Sequence, residues 1–256
     1  GDVTAAAFNN NETASAKVIC REDAVLCGQI WFELVFHKLD PDIVIDWQLK
    51  DGDALKKDTT VCTLNGSAQA ILTGERTALN FLQSLSGTAT KTKIYVDRIS
   101  GTHAKILDTR KTLPGMRYAQ KYAVRCGGGE NHRMGLYDAI LIKENHIATV
   151  GSVSKAVTQA KQQHPTIKLE VEVENAEQLK EALSTQTDVI LLDNFSLSEL
   201  ENAVALTDGK KKLEASGNMT LENIREVAKT GVDYISIGAI TKHLQAVDFS
   251  MRFKAE

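Results

Sequence analysis

From residue 104 onward, strand-sized apolar runs alternate with segments of helical period. The runs cover 104–107, 139–142, 169–173, 189–192, 213–215 and 234–237. Between them, 116–124, 153–162, 176–183, 197–206 and 221–228 repeat apolar residues three and four apart. Such alternation predicts parallel strands joined by right-handed crossovers. Six strands are too few to close an eight-stranded barrel, so an incomplete, open TIM-like α/β barrel is expected. Asn175, Ser196 and Thr220 stand where the later helices open and suit N-caps.

The first 72 residues follow a different pattern. Stretches 16–21, 43–49, 59–64 and 68–72 have strand-like β-branched or alternating character. Asp51-Gly52-Asp53 and Asn65-Gly66 read as turns between them. Residues 28–37 suit a short helix. The spacing suggests an antiparallel domain with hairpins. Leu79, Leu82 and Leu85 then mark one face of a helix over 75–85, with a second helix over 88–99. A last strand over 247–253 is expected to rejoin the first domain. The predicted division is 1–90 with 244–256, and 91–243 as the barrel. Pro41, Pro114 and Pro165 all fall outside the predicted strands.

Composition narrows the function. Hydrophobic residues make up 43% and charged residues 25%, as in an ordinary soluble protein. The net charge of −3 argues against a general nucleic-acid binder. Positive charge is nevertheless concentrated locally. Between Lys105 and His146 there are eight Lys or Arg and four Asp or Glu. Such a field captures small anions better than long polyanions. Cys20, Cys27, Cys62 and Cys126 show no C-x-x-C and no zinc-like Cys/His spacing, which suggests reduced cytoplasmic thiols. No apolar run approaches the ~20 residues that cross a bilayer, and no secretory signal opens the chain. It begins at Gly1 instead of Met, which suggests that natural residues precede it.

In a β/α barrel the loops after the strands build the site. Here those positions read Asp108-Thr109-Arg110-Lys111, Lys143-Glu144-Asn145-His146, Glu172-Val173-Glu174-Asn175, Asp193-Asn194, Ser216-Gly217-Asn218 and Ile237-Gly238-Ala239. Lys143 directly follows a buried run. It either forms a Schiff base after desolvation, holds an anion, or simply pairs with Glu172 or Asp193. Arg110 and Arg133 suit a bidentate grip on carboxylate or phosphate. Glu172 and Asp193 suit Mg²⁺, directly or through water, or a developing positive charge on a sugar. Glu170, Glu172 and Glu174 alternate with valine and are expected on the interior face. The last two strand ends suit a phosphate on backbone N–H groups. Arg117, Lys121 and Arg125 recur at helical spacing and read first as a solvated helix face. The Gly127-Gly128-Gly129 run lacks a phosphate-loop pattern and reads as a loop that positions His132 and Arg133.

The chain resembles the quinolinate phosphoribosyltransferases, from Gly1-Asp2-Val3-Thr4 to nearly the end. Its motifs are long: Glu75-Arg76-Thr77-Ala78-Leu79-Asn80, Leu85-Ser86-Gly87, Asp108-Thr109-Arg110-Lys111-Thr112, Asn131-His132-Arg133, Leu141-Ile142-Lys143-Glu144-Asn145-His146, Leu191-Leu192-Asp193-Asn194, and Gly231-Val232-Asp233 before Ile237-Gly238. The resemblance implies an N-terminal α/β sandwich domain, an incomplete barrel, and dimers or hexamers of dimers whose sites a neighbour completes. It implies Mg²⁺-assisted conversion of quinolinate and 5-phosphoribosyl-1-pyrophosphate to nicotinate mononucleotide, pyrophosphate and CO₂. Arg76 would reach quinolinate from the other subunit. Arg110, His132 and Arg133 would hold its carboxylates, with Lys111 and Lys143 between the two substrates. Glu172 and Asp193 would serve the ribose hydroxyls and metal-bound pyrophosphate. Ser216, Gly217 and Gly238 would take the 5′-phosphate. The match is looser around Lys242 and His243, which receive no role.

Three rival readings remain at this level. They are a phosphoribosyltransferase for a different ring acid, a lyase centred on a Lys143 Schiff base, and a non-catalytic binder of anionic metabolites. The first is disfavoured by the four residues suited to two carboxylates, Arg76, Arg110, His132 and Arg133. The last need not keep Glu172 and Asp193.

Overall fold

The computed structural model describes residues 2–5 and 12–253. Gly1 of the opening motif and residues 254–256 of the returning segment lie outside the described residues. The chain forms two compact units. The first comprises Gly1–Lys93, Tyr118–Gly128 and His243–Glu256; the second comprises Ile94–Arg117 and Gly129–Lys242.

In the first unit the elements run β1 (Thr13–Cys20), β2 (Ala24–Val25), α1 (Gln29–Leu39), β3 (Val44–Trp47), β4 (Ala54–Leu55), β5 (Thr60–Ser67) and α2 (Ala68–Arg98), whose last turns enter the second unit. The chain end returns as a strand over Phe249–Phe253, and the sheet order is that strand, then β1, β5 and β3, all antiparallel. β2 pairs separately with β4. Within this unit, among the described residues, no strand pairs with the next one in the chain, so the expected hairpins are replaced by longer connections. Alternation along β1 turns Ala16, Val18 and Cys20 into the core. From α1, Phe32 and Phe36 lie one turn apart, both fully buried, with ring centroids 5.0 Å apart. Each such burial contributes about 2–3 kcal/mol.

Residues 68–72 are the first turn of α2, which continues unbroken to Arg98, so the two predicted helices are one. Asn65-Gly66 lies inside β5, paired with β1 and β3. A Cβ on Gly66 would stand 2.8 Å from Ile43 Cγ1. The glycine thus serves close packing and makes no turn.

The second unit carries β6 (Lys105–Leu107). The chain then passes through α3 (Arg117–Cys126), almost all of which belongs to the first unit although its pattern read as a barrel helix. There follow β7 (Ile140–Ile142), α4 (Glu144–Val150), α5 (Val153–Gln163), β8 (Leu169–Val173), α6 (Ala176–Leu183), β9 (Val189–Asp193), α7 (Leu197–Thr207), β10 (Lys212–Ser216), α8 (Ile224–Lys229), β11 (Tyr234–Ser236) and α9 (Ala239–Lys242). The closing strand of the first unit is β12 (Phe249–Phe253). The six strands are parallel in the order β6-β11-β10-β9-β8-β7. β6 and β7, consecutive in the chain, occupy opposite edges, so the barrel is open. Glu130 covers part of β6 through a parallel bridge to Leu107.

Asn175 and Ser196 cap α6 and α7 through their side chains. α8 starts later than its sequence pattern suggested, and Thr220 instead donates its N–H to Asn223. All of β8 is buried, with Glu170 and Glu172 on one face. Glu174 lies beyond the strand and is exposed, so only two of the three glutamates are interior. The basic residues of α3 do not form one solvated face either. Lys121 is fully buried, and the Arg117 guanidinium donates to Thr112 Oγ1, the Met134 carbonyl and the Arg110 carbonyl.

Candidate active site

The strand ends of the second unit hold most of the residues singled out in the sequence. Lys143 follows β7, and its backbone N–H donates to His146 Nδ1 one turn into α4. Its Nζ lies 2.6 Å from Glu172 Oε2 near the end of β8. Burial raises the Glu172 carboxyl above its ordinary range; the Lys143 contact opposes this, and the charge of Asp193 adds to it. Asp193 closes β9 and Ser216 closes β10, as register partners. Ser216 Oγ donates to Asp193 Oδ1 at 2.6 Å, and Asn194 Nδ2 donates to Asp193 Oδ2 at 2.7 Å. Both oxygens of this carboxylate are therefore aimed.

Backbone strain supports that arrangement. Asn194 has φ 56°, and Asn218 has φ 48°. Gly217 has φ 91°, and any Cβ there would collide with the Asn194 side chain. Asn218 Nδ2 reaches Asn194 Oδ1 at 3.4 Å. On the next strand, Ile237 is buried and donates its N–H to the Leu107 carbonyl, which brings Gly238 and Ala239 beside the end of β6. A Cβ on Gly238 would stand 2.8 Å from Lys111 Cδ. Thr241 Oγ1 donates to the Lys111 carbonyl, and the Lys111 N–H donates to Thr109 Oγ1. The 109–111 turn is thus fixed against the start of α9.

A second group lies deeper. Asp108 is fully buried and accepts from Asn131 Nδ2 at 2.6 Å and from the His132 N–H at 2.9 Å. His132 Nδ1 accepts the Arg133 N–H at 2.8 Å. That bond assigns the proton to Nε2, which donates to Glu170 Oε2 at 2.8 Å. Glu214 Oε2 is 3.7 Å from the same nitrogen. These three residues offer ligand atoms within 4.8 Å of one another. Glu170 Oε1 and Glu214 Oε1 are buried without a hydrogen-bond partner. Burial, reinforced by the charge of Glu170, holds the Glu214 carboxyl far above the usual carboxylate range. His132, Arg133, Lys168, Glu170, Glu214 and Tyr234 help line a cavity of about 370 Å³.

Arg133 links the two groups. Its Nη1 donates to the Ala139 carbonyl. Burial lowers its basicity, Arg110 lowers it further, and Glu170 opposes the shift. Arg110 itself is exposed. Arg76 is exposed on α2 in the first unit. Lys143, Glu172, Asp193 and Ser216 thus gather at successive strand ends, while His132 turns inward. Sequence reasoning assigned no role to Asp108, Glu214 or Asn194. Glu214 sits mid-strand in an apolar run, and such a buried acid was the available signal.

Matches to known proteins cover both halves of the chain in order. The description "Quinolinate phosphoribosyl transferase, N-terminal domain" fits residues 2–86, and the corresponding C-terminal domain fits residues 88–252. A Bacillus subtilis protein described as a probable nicotinate-nucleotide pyrophosphorylase [carboxylating] is 41% identical, across 98% of this chain and 87% of its own length. An Arabidopsis thaliana chloroplastic relative described as a nicotinate-nucleotide pyrophosphorylase [carboxylating] is 38% identical, across 100% of this chain and 79% of its own. The solved nicotinate-nucleotide pyrophosphorylase of Francisella tularensis superposes with a TM-score of 0.95 at 48% identity, covering 99% of this chain and 90% of that one. With both halves matched in order and the parallel open barrel in place, the chain belongs to the quinolinate phosphoribosyltransferase family.

Proposed function

We propose that this chain transfers the phosphoribosyl group of 5-phosphoribosyl-1-pyrophosphate to quinolinate, with decarboxylation, giving nicotinate mononucleotide, pyrophosphate and CO₂ in NAD biosynthesis. The observation that carries this reading is the paired placement of Lys143 against Glu172 and of Ser216 against Asp193 at successive strand ends.

Arg110 and Arg133 grip the two carboxylates of quinolinate, and Arg76 of a second copy completes the grip. Lys111 and Lys143 stand between the ring acid and the sugar. His132 fixes Arg133 through its Nδ1; a direct grip on a carboxylate by its Nε2–H requires release of Glu170. Ser216, Gly217, Asn218, Ile237, Gly238 and Ala239 cradle the 5′-phosphate on N–H and hydroxyl donors, and Thr109 steadies the neighbouring turn. As pyrophosphate departs, positive charge grows on the ribose. The carboxylates of Glu172 and Asp193, oriented beforehand by their partners, stabilise it electrostatically. After transfer, the cationic side chains favour the carbanion-like state left by loss of CO₂. Holding both reactants supplies part of the ~7–11 kcal/mol available from orientation.

Glu172 and Asp193 would hold Mg²⁺, directly or through water. The fit rests on their being hard oxygen donors whose mutual repulsion a dication relieves. When bound, it neutralises the leaving pyrophosphate. The working form in this reading is a cytoplasmic homodimer or hexamer, acting on small molecules and not on nucleic acid or membranes. No helix among the described residues is long and apolar enough to cross a membrane.

The test is purified protein with both substrates and Mg²⁺, followed for mononucleotide and pyrophosphate. Release of pyrophosphate with nicotinate but not quinolinate would instead indicate a transferase for a different ring acid. Binding without release would indicate a metabolite binder. Borohydride trapping at Lys143 would indicate the Schiff-base lyase, which must first break the Glu172 ion pair.

A further inference from the structure

Away from those residues, the first unit brings together two cysteines that are far apart in sequence. Cys27 stands one residue before the Gly28 N-cap of α1, and Cys126 ends α3. Asp51 comes from the turn before β4. One ligand atom from each of Cys27, Asp51 and Cys126 lies within 4.8 Å of the others. We propose that Cys27, Asp51 and Cys126 bind one thiophilic divalent cation of the zinc class.

The geometry is close to what such an ion needs. Zinc–sulfur bonds of about 2.3 Å in a tetrahedron put ligand atoms about 3.8 Å apart. The three ligand atoms, all within 4.8 Å of one another, are near enough for one ion to bridge them. The supporting contacts are also built. Asp51 Oδ1 accepts the N–H groups of Gly28 and Gln29 at 3.0 and 3.3 Å, and Oδ2 accepts Tyr122 Oη–H at 2.9 Å. The Asp51 N–H donates to Gln29 Oε1. The Cys27 N–H donates to Ser86 Oγ, whose hydroxyl donates back to the Cys27 carbonyl. Outer contacts of this type orient metal ligands and strengthen binding.

The donors also face one another: Cys27 hydrogen-bonds to Cys126, and Tyr122 stands between Cys126 and the Asp51 carboxylate. Binding forms two sulfur–metal bonds and one oxygen–metal bond, and each thiol still protonated releases its proton to solvent. No electron transfer is involved. Cys27 is buried, while Cys126 and Asp51 are half-buried, so the ion enters from their side and water completes its coordination.

The experiment titrates reduced, chelator-treated full-length protein with Co²⁺ and then Zn²⁺, without substrates. The expected result is one cobalt per chain, a thiolate-to-cobalt charge-transfer band, and its displacement by equimolar zinc. Cys126→Ser should abolish the band, and Asp51→Asn should weaken cobalt binding at least tenfold. In the unmutated protein, zinc should slow alkylation of Cys126, read by mass spectrometry. Absence of the band, its survival in Cys126→Ser, or alkylation indifferent to zinc overturns the proposal. So does a Cys27–Cys126 disulfide formed by oxidised glutathione in protein that binds no cobalt, which would identify a redox pair.

Discussion

Lys143 Nζ and Glu172 Oε2 lie 2.6 Å apart, yet the lysine side chain is 42% exposed and the glutamate 9%. The cation therefore faces the open end of the barrel, and the acid anchors it from below. An ammonium has three N–H donors, so two remain available to an incoming anion. Replacing Lys143 with Ala should lower kcat/KM for quinolinate on the order of 100-fold or more. Steady-state kinetics with each substrate varied checks this; an unchanged value removes Lys143 from the site.

Arg133→Ala should raise the quinolinate KM sharply or abolish turnover. Arg133→Lys should not restore activity, because an ammonium cannot reproduce the planar two-point grip. Full rescue by lysine would reduce Arg133 to a local point charge.

Gly217→Ala should cost stability by about 1–3 kcal/mol, given its φ of 91° and the collision with Asn194. Because that side chain also aims Asp193, the KM for 5-phosphoribosyl-1-pyrophosphate should rise more than the KM for quinolinate. Thermal unfolding and kinetics test the two parts separately. Equal changes in both KM values would count against a phosphate cradle at this turn.

Glu214 gives a pH prediction. Its folded-state carboxyl is raised well above the ordinary value of 4.5, mainly by burial and next by Glu170. Below that ordinary value it is protonated in both the folded and unfolded chain and contributes no slope. As pH rises further, the unfolded chain ionises first, so folding takes up a proton and stability falls. Glu214→Gln removes this slope. The Tm advantage of the variant over the parent should therefore grow with pH from the ordinary carboxylate range upward. A pH-independent difference would show that Glu214 ionises freely in the fold.

The second unit was legible because each barrel strand is a short apolar run set off by helices with helical-period apolar residues. The ends of those runs already point to Lys143, Glu172, Asp193 and Ser216. The errors came where long-range packing overrides local pattern. Residues 68–72 look strand-like but begin α2 directly after β5, with no breaking residue between. Gly66 resembles a turn residue, but it answers to Ile43 across the sheet. The pattern of α3 is that of a barrel helix, but most of it packs with the first unit. Both ring nitrogens of His132 are engaged by Arg133 and Glu170, a fact that no motif contains. Likewise, the meeting of Cys27 and Cys126 is tertiary, so cysteine spacing could not reveal it.

The pairing of Ala16 with Phe253 and of Val18 with Met251 has a consequence for synthesis. One edge of β1 must wait on the ribosome until Phe249–Phe253 emerges. Until then its backbone donors and acceptors are open to strands of other nascent chains. A message truncated just before Phe249 would thus yield an aggregation-prone product even with every barrel strand translated.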